Sequence, residues 1–280
     1  MKTLIIGGTS LLGMALKPVL SGFSEVITAG RKNCDIYIDL NDPIGKITVP
    51  ANTDTVIHTA AHFGGRSAQE IVEAETVNVL GTLKLCQAAV QAKSKHFIFI
   101  SSIYASLNEN AAQYSIYALS KKHAEEIAKF YCSAHDLPLT ILRPSQVYGS
   151  QDSFRRHQPF FYTMIDTAAK GDDINLYGSN DPLRNYIHIE DLINIIAKVV
   201  QNKIEGVYSC TQMTDVTYSQ IAKAAFAAFN SKGSVHFLKD KPNIPDNIFD
   251  KDDELYKKIN FFPTISIEEG VKKIAENKKK

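Results

Sequence analysis

The 280-residue sequence has only four cysteines, Cys34, Cys86, Cys132 and Cys210, and none forms a C-x-x-C pair or stands beside a histidine cluster. That spacing excludes the usual zinc signatures, and no other pattern calls for a metal. Set singly in apolar segments, the four read as buried thiols of a reducing compartment. An excess of one charge is also missing: 31 Lys and Arg against 30 Asp and Glu leave a formal net charge of +1. Such a balance removes any global electrostatic case for nucleic acid or a membrane surface as partner. The local exceptions are Arg155-Arg156-His157 and the tail Lys278-Lys279-Lys280, which reads as a solvated, frayed helix end. No apolar run reaches the ~18 residues that mark a membrane span. A strand pattern begins almost at once, with Thr3-Leu4-Ile5-Ile6. It leaves no room for a signal peptide, and the expectation is a cytoplasmic protein.

What is present is alternation. Strand-type runs at 4–6, 25–29, 55–59, 96–101 and 139–142 are separated by helical patterns near 11–21, 68–73, 76–92 and 117–134. In Val79-Leu80-Leu83-Leu85-Cys86-Ala89-Val90 the apolar residues recur every three or four positions, the mark of a helix with one buried face. Repeated strand–helix units imply right-handed crossovers and a parallel sheet covered on both sides. After Pro144 the pattern changes to loop-forming residues around a helical stretch at 160–169. A strand at 186–189 and a helix at 191–200 follow, then a strand at 207–210 and helices at 218–229 and 267–274. The predicted fold is α/β, a Rossmann-type doubly wound parallel sheet with a smaller discontinuous α+β domain. Residues 1–149 would form the dinucleotide-binding domain, with 186–204 returning to it. Residues 150–185 and 205–280 would form the substrate domain, and a ligand crevice would lie at the C-terminal ends of the strands.

Three local features carry chemistry. The stretch Gly7-Gly8-Thr9-Ser10-Leu11-Leu12-Gly13 links the first strand to the first helix, the order a dinucleotide site requires. Gly7 suits the tight turn and Gly13 close helix packing, while Ser10 stands where a third glycine is common and reads equally as a helix N-cap. At the tip of the second strand Gly30 is followed by Arg31-Lys32 rather than by the acid expected for a ribose 2′-hydroxyl. That pair suits a 2′-phosphate or is simply a solvated basic turn. Asp39-Leu40 could reach the adenine. Finally, Tyr117 and Lys121 stand at i and i+4 on one helix face, where an ammonium would lower the phenol's pKa toward the working range. The preceding strand runs into Ser101-Ser102, either a substrate-holding hydroxyl or a turn that satisfies its own backbone.

Taken together, GGTSLLG, Val56-Ile57-His58-Thr59-Ala60-Ala61, Asn78-Val79-Leu80-Gly81-Thr82, Ile100-Ser101-Ser102, Tyr117-x-x-x-Lys121, Leu142-Arg143-Pro144-Ser145-Gln146-Val147-Tyr148-Gly149 and the run Arg184–Asp191 resemble the extended short-chain dehydrogenase/reductase family, the NAD(P)-dependent epimerase/dehydratase family. The resemblance spans the chain from first strand to final helix. It implies a catalytic trio of Ser102, Tyr117 and Lys121. The glycine loop (Gly7, Thr9, Ser10, Leu11, Leu12, Gly13), Arg31, Asp39, Leu40, Ala60, Ala61, Asn78, Pro144 and Val147 would line or support the cofactor, with NADP favoured over NAD on account of Arg31. Tyr104, Gln146, Tyr148 and Arg184 would join Ser102 at the substrate, Arg184 on its pyrophosphate. His188 reads better as a packed strand histidine.

Two departures narrow the chemistry. Ile103 and Tyr104 replace the acidic pair of the 4,6-dehydratase branch, and Ile103 also replaces the cysteine of the branch that epimerises C3 and C5. The interval from Ser102 to Tyr117 is short for the family. The expectation is a nucleotide-sugar oxidoreductase working at one ring carbon, C4, either an epimerase or an NADPH-dependent 4-keto-sugar reductase. A reading of another class is a non-catalytic dinucleotide sensor. The resemblance also implies a homodimer through the 76–92 and 117–134 helices.

Overall fold

The structure is a computed structural model, and it describes residues 1–278. Lys279 and Lys280 of the basic tail lie outside the described residues. The chain begins β1 (Lys2–Ile6), α1 (Leu11–Leu20), β2 (Glu25–Gly30), β3 (Ile36–Tyr37), β4 (Thr55–His58), α2 (Ala68–Ala74) and α3 (Gly81–Gln91). It continues β5 (His96–Ile100), α4 (Ile116–Ala134), β6 (Leu139–Pro144), β7 (Gln146–Tyr148), α5 (Pro159–Lys170), β8 (Ile174–Tyr177), β9 (Leu183–Arg184) and β10 (Tyr186–His188). It closes with α6 (Ile189–Asn202), β11 (Gly206–Cys210), β12 (Val216–Thr217), α7 (Tyr218–Phe229), β13 (Val235–Leu238), α8 (Glu254–Ile259) and α9 (Ile267–Lys278).

Two compact units share this chain. The first comprises Met1–Pro144, Ile193–Cys210 and Asp252–Phe261. Its centre is a seven-stranded sheet in the order β11-β6-β5-β4-β1-β2-β3, with every neighbouring pair parallel. Buried on both faces, its strands are continuous apolar runs: Leu4, Ile5, Val56, Ile57, Phe97, Ile98, Phe99 and Ile141 are fully enclosed. Successive connections run outward in both directions from the β1–β4 pair, so the strand order reverses there. In doubly wound sheets that reversal opens a crevice at the strand ends.

The return to this unit differs from the 186–204 expected. Residues 206–210, expected in the smaller domain, pair in parallel with β6 from Gly206↔Thr140 to Cys210↔Pro144 and complete the main sheet. The reason is the amphipathic helix before them, whose buried Ile195, Ile196, Val199 and Val200 make it a crossover. Among the cysteines, Cys86, Cys132 and Cys210 are buried as expected, whereas Cys34 is half-buried in the turn after β2.

The second unit comprises Ser145–Leu192, Thr211–Lys251 and Phe262–Lys280. It holds three two-stranded pairings, β10-β7 and β13-β8 parallel and β12-β9 antiparallel. Its core is partly aromatic: Tyr148, Phe161, Tyr162 and Tyr186 are buried together with His188. Among the described residues no helix is long and apolar enough to cross a membrane, and no group of three or more His, Cys, Asp or Glu could hold a metal ion.

At α1 backbone packs directly on backbone. A Cβ placed on Gly13 would lie 2.4 Å from the Gly7 carbonyl oxygen. Gly13→Val is therefore expected to cost about 1–3 kcal/mol of stability by overpacking, read as a lower urea midpoint with an unchanged m value.

Candidate active site

The loop after β1 closes against β2 and β4. Gly7 has φ +83, which favours glycine, and a Cβ there would meet the Ala60 nitrogen at 2.8 Å. The Gly7 and Gly8 amides both donate to the Ala29 carbonyl, at 2.9 and 3.0 Å. Ser10 is the N-cap of α1: its hydroxyl oxygen accepts from the Gly13 amide at 3.0 Å and lies 2.9 Å from the Thr59 hydroxyl. Thr59 in turn donates to the Ile6 carbonyl at 2.8 Å. The serine that replaces a middle glycine thus joins the loop to the end of β4. Thr9, Leu11 and Leu12 complete the turn, whose first helical amides lack intrahelical acceptors.

At the tip of β2 the structure supplies the acid that sequence reading missed. Asp35 folds back, accepting from the Thr28 amide at 2.8 Å and the Thr28 hydroxyl at 2.7 Å, with Lys17 Nζ at 3.3 Å. Those hydrogen bonds, the amide first, hold its carboxyl below the ordinary value. Arg31 and Lys32 remain exposed at the same tip. Asp39 caps its own turn, accepting from the Asn41 amide at 3.0 Å. Leu40 is buried, with its carbonyl held by Lys84 Nζ at 2.8 Å. Ala60 and Ala61 continue β4, half-buried.

Asn78 lies in a six-residue π-helical segment, Glu75–Leu80, between α2 and α3. Wide turns of this kind are frequent at functional sites. Its buried carboxamide accepts from the His62 amide at 2.8 Å and donates to the His62 carbonyl at 2.7 Å and to the Ser120 hydroxyl at 2.9 Å. Asn78 is therefore a clamp between the loop after β4 and α4. Beneath it the His58 ring reaches the Thr82 hydroxyl at 3.2 Å, and that hydroxyl donates to the Asn78 carbonyl. His58 must then carry its proton on Nε2, and burial keeps the ring neutral, well below the usual imidazole range.

Ser102, Tyr117 and Lys121 converge where β5 ends. Ser102 leaves the strand as the cap of a short turn, Ile103–Ser106, and its oxygen accepts from the Tyr104 amide at 3.2 Å. It also hydrogen-bonds the Tyr117 hydroxyl, while burial pushes that phenol up to about 12. Lys121 is 1% exposed; its ammonium donates to the Ile100 carbonyl at 2.8 Å and lies 4.6 Å from the Phe99 ring centroid. Burial lowers it to about 7, opposed by the charge of Glu125. The phenol thus lies above its ordinary value, not below it as the i, i+4 spacing implied. Spacing puts both groups on one face, but desolvation shifts each toward its neutral form.

Glu125, one turn beyond Lys121, was not singled out from sequence. Its buried carboxylate accepts from the Ser101 hydroxyl at 2.6 Å and Arg143 Nε at 2.8 Å, so α4 is bolted to the ends of β5 and β6. The signal available was its position four residues after Lys121. Pro144 closes β6, buried.

In the second unit, Val147 lies half-buried in β7 and Gln146 donates to Gln158 Oε1 at 2.8 Å. Two of the expected substrate residues have side chains engaged within this unit. Tyr148, expected at the substrate, is 1% exposed and packs edge-on to His188 with ring centroids 5.1 Å apart. Strand alternation turns it into the core, its hydroxyl 3.3 Å from the Ser266 carbonyl. Arg184, expected on a pyrophosphate, is 5% exposed and engaged within the unit: Nε donates to the Tyr218 hydroxyl at 2.8 Å, and Nη1 to the Leu183 and Pro245 carbonyls at 2.7 and 2.9 Å. These acceptors take three of the five N–H donors of the guanidinium. His188 is buried, as its strand position implied.

Fold and site define a Rossmann-type α/β protein with a glycine turn after β1 and a hydroxyl, a phenol and an ammonium gathered at β5. Residues 3–210 match the NAD dependent epimerase/dehydratase family, and the chain belongs to it. Over 150 residues it is 25% identical to CDP-abequose synthase of Salmonella typhimurium, a match covering 54% of this chain and 49% of that protein. It is 27% identical over 241 residues to mouse dTDP-D-glucose 4,6-dehydratase, covering 80% of this chain and 67% of that one. The chain thus spans about half the length of the Salmonella relative. Its fold is shared with UDP-glucose 4-epimerase of Thermotoga maritima solved with UDP-glucose, at TM-score 0.80 and 20% identity over 100% of this chain and 99% of the other. UDP-glucuronic acid 4-epimerase of Bacillus cereus solved with NAD gives TM-score 0.78 and 20% identity, with the same coverage.

The lowered Lys121 gives a pH signature. Below about pH 7 both folded and unfolded chains hold its proton; above the ordinary lysine value neither does. In between, the unfolded chain binds the proton that the folded one has released, so this group makes stability rise with pH. Lys121→Met is expected to be more stable than wild type at pH 7, by about 3 kcal/mol. The gap should close toward pH 10, as measured by urea unfolding across that range. Glu125→Gln should instead destabilise by about 3 kcal/mol, because it leaves Arg143 without its buried counter-charge.

Proposed function

We propose that this chain is an NAD(P)-dependent enzyme that moves a hydride at one carbon, C4, of a nucleotide-linked sugar, with Ser102, Tyr117 and Lys121 as its catalytic group. The observation that carries the reading is the convergence of those three side chains at the C-terminal end of β5. The loop after β1 fits a dinucleotide: Gly7 and Gly13 leave space that any Cβ would fill, at the start of a helix whose end favours a pyrophosphate. When bound, the nicotinamide supplies or accepts the hydride. Ser102 holds the sugar oxygen, and Tyr117, protonated at neutral pH, delivers a proton to it as a ketone becomes an alcohol. Lys121, near its midpoint at pH 7 and on the same helix face as Tyr117, would hold the ribose of the cofactor.

Two outcomes share this machinery. The likeness of the fold to 4-epimerases supports an epimerase, which oxidises and re-reduces one carbon. The exposed Arg31 and Lys32, with Asp35 folded back onto Thr28, support a reductase that prefers NADPH over NADH. The second partner proposed is another copy of this chain, docking on the exposed Leu80 and Phe130 side chains of the 76–92 and 117–134 helical segments.

Purified protein should be incubated with UDP-, dTDP- and CDP-linked sugars and their 4-keto forms, following nicotinamide absorbance and sugar stereochemistry together. Net oxidation of NADPH identifies the reductase; inversion at C4 without net consumption identifies the epimerase. Tyr117→Phe is expected to lower kcat by about 10²–10⁴, and full activity in that variant would sink the reading. Arg31→Ala should lower kcat/KM for NADPH at least about tenfold with little change for NADH.

A further inference from the structure

The segment after β4, Ala61-His62-Phe63-Gly64-Gly65-Arg66-Ser67, holds an aromatic side chain in the open. Phe63 is 53% exposed, yet its ring lies flat on that of Tyr117, with centroids 4.8 Å apart and planes 22° from parallel. An exposed phenyl ring on a loop ordinarily samples several rotamers; here the backbone on both sides is fastened. On the N-terminal side both backbone groups of His62 are clamped by the buried Asn78 carboxamide. The His62 ring accepts from the Gly64 amide at 3.0 Å through Nδ1. On the C-terminal side Glu70 accepts from the Arg66 amide, the Ser67 amide and the Ser67 hydroxyl at 3.0, 3.0 and 2.7 Å. Between them Gly64 has φ +70 and packs so closely on α4 that a Cβ would come 2.4 Å from the Ile116 side chain, next to Tyr117. The loop is preorganised around one solvent-facing ring, and that ring touches the phenol.

We propose that Phe63 is a positioning residue for Tyr117: its ring fixes the plane of the phenol, aims the hydroxyl at Ser102 and keeps water off one face. The inference rests on the reading of Tyr117 as the proton donor. A phenol free to turn about its side-chain torsions would meet the sugar oxygen in only part of its orientations. Stacking removes those others, and the fastened loop and helix keep the two rings within reach of each other. The groups acting on the phenol are Ser102 and Tyr104 from the turn after β5, while Lys121, one turn further along the same helix, has its ammonium on the Ile100 carbonyl. His62, beside Phe63, points its Nε2 to Glu73 at 3.6 Å. The ring also lowers the local polarity, which favours the protonated phenol.

The test uses the full chain labelled with [ζ-¹³C]tyrosine, the Tyr117 resonance being assigned by its loss in Tyr117→Phe. Between pH 7 and about 10.5 that resonance should stay flat in wild type. In Phe63→Ala it should begin to titrate, its midpoint about half to one pH unit lower. Phe63→Tyr, which keeps the ring, should behave as wild type, and Phe63→Leu should resemble Phe63→Ala. On whichever nucleotide sugar is turned over, Phe63→Ala should lose about three- to tenfold in kcat with KM changed less than about twofold. An unaltered Tyr117 titration in both Phe63→Ala and Phe63→Leu overturns the proposal. So does a loss confined to KM. The resonance is read without any substrate, so an inactive protein with a shifted midpoint would overturn the proposed function and leave the role of Phe63 standing.

Discussion

The corner of the first unit where β5 ends is arranged around one buried lysine. Lys121 carries an ammonium into a place with 1% exposure, and desolvation there works against its charge. Three neighbours oppose that penalty: the Ile100 carbonyl, the face of Phe99 and the carboxylate of Glu125 one turn further along α4. Each is tied to something else. Ile100 ends β5, and Glu125 is held by Ser101 and Arg143, from the ends of β5 and β6. The position of Ser102 relative to Tyr117 follows from this bolted corner, since Ser102 is the next residue after Ser101. The same burial keeps Lys121 close to its midpoint at neutral pH and Tyr117 protonated, a pairing suited to proton delivery in the proposed reaction.

The nucleotide end rests on steric closeness more than on charge. Gly7 and Gly13 allow backbone to approach backbone where any side chain would intrude. Ser10, far from weakening the turn, links the first helix to β4 through Thr59. At the tip of β2 the acid is present but engaged, and cations are what the surface offers. The preference proposed for NADPH follows from which of these charges is already partnered.

In the second unit Arg184 and Tyr148 find their partners locally. The Arg184 guanidinium sits 4.4 Å from the Tyr218 ring centroid and is hydrogen-bonded to that residue's hydroxyl and to two carbonyls. Tyr148 forms part of an aromatic core with Phe161, Tyr186 and His188. Both residues hold the unit together, a structural use of positions that the family pattern associates with ligand.

Local sequence determined a good deal by itself. Apolar patterning marks the strands and helices of the main sheet, as continuous apolar runs in strands buried on both faces and as a recurrence every three to four residues in the helices. The order of the motifs identifies the family, and i, i+4 spacing places Tyr117 and Lys121 on one face. Only the tertiary structure decided the rest. The short run Val207–Cys210 is compatible with either unit, and its pairing with β6, some 66 residues away, assigns it to the main sheet. Whether Tyr148 points inward, whether Asp35 is free, and which protons Tyr117 and Lys121 carry all depend on burial and on partners distant in sequence. Those are properties of packed surroundings, and no local pattern of residues encodes them.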